Sequence, residues 1–142
     1  MDTIQNEILY NQLTVSRIEL TDKYEGTVTL VTQTNKNFTA FFWGQTFELN
    51  KTYKIKFDCL DYPLKWETIF SENKAQKKML ESQNEFCSYL AYGKIISINP
   101  VVADFGDIKM EIGDWTHDEN VIGEFIYFKI DRLDILDVQN CN

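Results

Sequence analysis

A chain of 142 residues that is 44% hydrophobic and 14% aromatic has the length and apolar content of one domain around a single core, so a single unit over residues 1–142 is expected. No apolar run approaches the ~20 residues that cross a bilayer. The N-terminal MDTIQNEILYNQ carries acids and amides where a secretory leader places bases and an apolar stretch, which predicts a soluble, cytoplasmic protein without membrane contact. The net charge is −8, and all but one unit of it lies between Asp104 and Asp137, where ten carboxylates face three cationic side chains. Such a field repels phosphate backbones and attracts cationic partners.

In chain order, Leu13 to Leu20 reads as a possible first strand, after a short candidate helix over Met1 to Tyr10. TVTLVTQT and FTAFFWG, separated by Asn35-Lys36-Asn37, predict a hairpin of β-branched and aromatic strands. KTYKIKFDCLD alternates most cleanly, with Tyr53, Ile55, Phe57 and Cys59 on one face and Lys54, Lys56 and Asp58 on the other. Tyr62-Pro63 breaks that pattern. The spacing of Ala75, Met79, Leu80 and Phe86 then predicts a helix capped by Ser71.

Further strands are predicted over Ser88 to Ile98, around PVVADF, over DIKMEIG and over GEFIYFKIDRLDIL, with turns at Asn99-Pro100, Gly106-Asp107 and GDWTHDENVIG. Gly93 inside a strand predicts a bulge. The expected fold class is mainly β: an OB-fold-like barrel over Thr27 to Ile130, with one α-helix between its third and fourth strands. A single antiparallel sheet packed on one helix is the competing arrangement.

Candidate chemistry is sparse. Asp104-Phe105-Gly106 matches a kinase triplet, but no Gly-rich loop, strand lysine or catalytic-loop motif accompanies it. Asp114, His117, Asp118 and Glu119 are competent metal ligands, yet their spacing fits neither a calcium loop nor a zinc site, so they read as a solvated turn and no metal or cofactor is expected. Cys59, Cys87 and Cys141 are odd in number and widely spaced, which suggests no disulfide framework, and Cys59 reads as a small core residue. With one histidine and no nucleophile motif, no enzyme is expected.

Two binding readings remain. Phe38, Phe41, Phe42, Trp43, Phe47, Tyr53 and Phe57, beside Lys51, Lys54 and Lys56, would suit single-stranded nucleic acid, although most of these rings read as barrel filling and the charge opposes phosphate. The acid excess instead suits capture of a cationic protein by carboxylates and aromatic anchors, with Trp115 foremost and Tyr127 and Trp66 behind it.

The segment GKIISINPVVADFGDIKMEIG, followed by GEFIYFKIDRLDIL, resembles small bacterial proteins of OB-like build from toxin–immunity systems. The resemblance covers Gly93 to Leu136. It implies an inhibitor, made in the cytosol, that neutralises a cationic nuclease toxin. On that resemblance Asp104, Asp107, Asp114, Asp118 and Glu119 would occupy the toxin's basic groove in place of phosphates.

Overall fold

The computed structural model describes residues 10–60, 69–83, 87–113 and 116–141. Strands β1 (Asn11–Asp22), β2 (Glu25–Val31), β3 (Asn37–Trp43) and β4 (Thr52–Leu60) and the C-terminal β10 (Arg132–Asn140) close a barrel in the order β1-β2-β3-β10-β4. All neighbours are antiparallel except β3 and β10, which run parallel with Asp134 beside Phe41. Between β4 and β10 the chain makes a second sheet. Its path is β5 (Met79–Ser82), β6 (Tyr89–Ser97), β7 (Val102–Asp104) and β8 (Lys109–Glu111), with β9 (Phe125–Ile130) also paired to β6.

Period-2 alternation explains the barrel interior. Leu13 and Val15, Val28 and Leu30, Phe38, Ala40 and Phe42, Tyr53, Ile55, Phe57 and Cys59, and Leu133 and Ile135 all point inward and are buried. One continuous core joins them to Ala91, Ile95, Phe105, Met110, Ile126 and Phe128 of the second sheet. Irregularities in the register between Val15 and Arg17, Leu20 and Asp22, and Ile135 and Asp137 add the local twist that curls strands around a barrel. Asn35 and Asn50, at φ of 66° and 65°, make the left-handed turns on either side of β3.

The expected fold requires three corrections. The helix predicted after Ser71 is not formed: residues 71–78 run through turns and irregular backbone, and Met79–Ser82 pairs with β6 as a strand. The reason is that the apolar stripe is thin, with Ala75 exposed, while Asn73 is 5% exposed and binds backbone groups that a helix would not offer it. Among the described residues the one complete helical element is the 3-10 turn Glu119–Val121. Phe86 and Met1 to Leu9 lie outside the described residues.

The strands predicted as the barrel's later members, from Ser88 to Ile130, instead form the second sheet, and the N-terminal strand is a full barrel member. The helix expected between the third and fourth predicted strands falls between β4 and β6, where the described residues 71–83 are turns, irregular backbone and β5. Gly93, finally, is required by packing: a Cβ there would sit 2.7 Å from Cδ1 of Phe105, and the sheet irregularity falls between Ile95 and Ser97.

Among the described residues, Tyr89 and Asn11 help tie the second sheet to the barrel. Tyr89, 2% exposed, accepts a hydrogen bond from the Thr39 backbone N–H (2.7 Å) and donates to the Thr39 carbonyl (2.7 Å). The Asn11 amide donates to the Lys109 carbonyl (2.9 Å), and its oxygen accepts from the Lys109 N–H (2.7 Å). No helix among the described residues is long and apolar enough to cross a membrane.

The Cys59 thiol is buried and donates to Sδ of Met110 at 3.4 Å. Burial pushes the Cys59 thiol well above its ordinary range and raises that of Cys87, so neither supplies thiolate at neutral pH. In the native protein, one thiol per chain, Cys141, is therefore expected to react rapidly with Ellman's reagent, rising to three in denaturant. Three fast thiols without denaturant would contradict this burial.

Candidate partner-binding surfaces

The carboxylates expected at a docking face divide into two groups. Asp104 and Asp107 are committed to the fold. Asp104 accepts the Gly106 N–H at 2.8 Å and pairs with Lys78 at 3.4 Å, while Asp107 pairs with Lys36 at 3.4 Å. Their side chains are 20% and 15% exposed. The Asp-Phe-Gly triplet is thus the turn between β7 and β8: Phe105 is fully buried, and Gly106, at φ +87°, lies where a Cβ would strike the Lys78 carbonyl.

Asp118 and Glu119 belong to the second group, and both are exposed on the loop before β9. Asp118 caps the 3-10 turn by accepting the Asn120 N–H at 3.0 Å, and the Asp118 N–H itself bonds to the Thr116 hydroxyl. Glu124 is exposed in the same loop, as is Ile122, at 46% exposure. Among the described residues neither Glu119 nor Glu124 has an ion-pair partner. Asp114, Trp115 and Trp66 lie outside the described residues.

Tyr127 stands elsewhere, on the outer face of the second sheet. Its ring is 5.0 Å from that of Tyr92 on β6, and desolvation, followed by the neighbouring Tyr92, pushes its phenol above the ordinary range. On the same face Lys77 lies over Tyr92 at 5.0 Å and Lys94 over Phe125 at 5.6 Å. The structure therefore brings Asp118 and Glu119 together but leaves Tyr127 on a different element.

The barrel rings also divide. Phe38, Phe42, Tyr53 and Phe57 are buried and Phe47 packs against them, whereas Phe41 and Trp43 point outward. With Gln45, Arg132, Asp134 and Leu136 they line a groove of about 540 Å³ along the parallel β3–β10 seam. The signal was present in the alternation: Phe41 and Trp43 fall on the opposite parity from Phe38, Ala40 and Phe42, as Arg132, Asp134 and Leu136 do from Leu133 and Ile135. The lysine stripe is partly occupied, since Lys51 pairs with Glu48 at 3.3 Å and lies over the Tyr53 ring at 5.2 Å.

Among the described residues, no group of three or more His, Cys, Asp or Glu side chains is arranged to hold a metal ion. No family model, curated protein or solved structure matches the chain.

Proposed function

We propose that the chain is a non-catalytic binding protein of the immunity or antitoxin type, which captures a cationic protein toxin of nuclease class in the cytoplasm. The observation that carries the reading is the exposed loop 116–124. Asp118, Glu119 and Glu124 there flank the exposed Ile122 in sequence, within a segment that holds nearly all of the chain's excess charge. Clustered carboxylates steer a basic partner into encounter, and an apolar contact beside them slows its departure. Because Asp104 and Asp107 already have lysine partners, the recognition falls mainly on the loop.

The expected result of the double charge reversal Asp118→Lys and Glu119→Lys is a loss of about tenfold or more in affinity for the captured partner, chiefly through slower association at low salt. The wild type should suppress the partner's nuclease activity at one-to-one stoichiometry. Affinity unchanged by the reversal would rule out this surface.

A second reading has one observation in its favour, the lysine-topped aromatic face of Tyr92, Tyr127 and Phe125. It would make the protein a binder of single-stranded nucleic acid. That reading predicts salt-sensitive oligonucleotide affinity that falls on replacing Lys77 and Lys94, and the net charge of −8 weighs against it.

A further inference from the structure

The groove between β3 and β10 holds a guanidinium on an aromatic ring within the chain itself. Arg132 lies 4.2 Å from the centre of the Phe41 ring. Two hydrogen bonds to Asp134, at 2.7 and 3.0 Å, hold it there. Beyond this stack the groove continues to Trp43, 71% exposed, and Leu136, 52% exposed. An indole so open at the end of a strand is the kind of side chain that anchors interfaces.

Charge decides what fits. Arg132 is answered by Asp134, and Glu25, which sits opposite Trp43 across the β2–β3 ladder, adds a second carboxylate whose field reaches Arg132. The Arg132–Asp134 pair cancels, so Glu25, at the rim opposite Trp43, leaves one net negative charge beside an open indole face. A cationic side chain satisfies both features, stacking on the indole while approaching the carboxylates. Phosphate satisfies neither, and an apolar side chain leaves the Glu25 charge unanswered.

We propose that the β3–β10 groove is a second docking site, which seats an arginine or lysine side chain of a protein partner on Trp43 beside Asp134 and Glu25. This rests on the reading of the partner as a cationic protein, but it uses residues other than the acidic loop.

The test is an NMR titration that follows the Trp43 indole and the amides of residues 116–124. The probe is a blocked Gly-Arg-Gly-Arg-Gly peptide, compared with its citrulline counterpart and with oligothymidylate. The arginine peptide should shift Trp43, and Trp43→Ala, an exposed position whose loss should leave the melting temperature unchanged, should weaken groove binding by about fivefold or more. The Asp118→Lys, Glu119→Lys protein should retain the Trp43 response.

A Trp43 response that persists while the loop amides stay silent supports the groove and counts against the loop surface alone. Loop shifts without a Trp43 response overturn the groove and leave the loop reading standing. Equal binding of the citrulline peptide, or a stronger Trp43 response to oligothymidylate, also overturns the groove proposal.

Discussion

Replacing Tyr89 with phenylalanine is expected to lower the stability of the folded chain by about 1–3 kcal/mol, because one hydroxyl serves two backbone groups of Thr39. The parallel seam pairs β3 with β10 around Phe41 and Asp134, and a little further along β3 the Tyr89 phenol takes the place of a neighbouring strand. Residue 87 adds to this bridge, since its carbonyl accepts the Leu133 N–H at 2.8 Å. Truncation by Tyr89→Ala also leaves a cavity and is expected to cost about 3–5 kcal/mol. Thermal melts of both variants check the ranking, and a Tyr89→Phe variant as stable as the wild type would mean that the phenol does not join the two sheets.

The same residue gives a pH signature. Burial raises the Tyr89 pKa, so the folded state holds the proton more tightly than the unfolded chain does. The resulting stability is fully present below about pH 10, the ordinary tyrosine range, and is lost as pH rises through the higher folded value. Wild-type stability should therefore fall more steeply above pH 10 than that of Tyr89→Phe.

Asn73→Ala is the second large effect, expected at about 3 kcal/mol. The side-chain oxygen accepts the Lys77 N–H at 2.7 Å, and the amide donates to the carbonyls of Lys77 (2.9 Å), Ile126 (3.0 Å) and Gly93 (3.4 Å). Removing it takes a donor from the buried carbonyls of Ile126 and Gly93 and unpins the Lys77 backbone. The Asn73→Asp variant retains the acceptor but turns a carboxylate toward three carbonyl oxygens. Its folded carboxyl pKa should therefore be raised, and its defect relative to the wild type should shrink as pH falls. Urea unfolding at pH 7 and pH 5 separates the two variants, and a defect independent of pH for Asn73→Asp would contradict this geometry.

Asn73 also shows where sequence reading stops. Its neighbours in sequence have helical spacing, and Lys77 is four positions away, but its two buried partners, Gly93 and Ile126, lie 20 and 53 positions away, and no local window contains them. The alternation of Tyr53, Ile55, Phe57 and Cys59 identified a strand and its buried face, because burial on one side of a sheet is a local, period-2 property. Which strand it joins is not local. β4 pairs with β10 some eighty residues later, so the same alternation fitted either sheet. Among the sites, the acidic loop was legible as composition, whereas the pairing of Asp104 with Lys78 and Asp107 with Lys36 depends on tertiary contacts. The groove needed both Trp43 and Arg132, which meet only once β3 and β10 lie side by side.

Capture of a cationic protein is tested most directly by affinity capture with the tagged chain from lysate of its own source, with and without nuclease treatment, read by mass spectrometry. One stoichiometric basic protein is expected, retained after nuclease and released by salt, which then binds the purified chain directly. Recovery of nucleic acid, or of many proteins that vanish with nuclease, would contradict it and make the aromatic and lysine face of the second sheet the functional one.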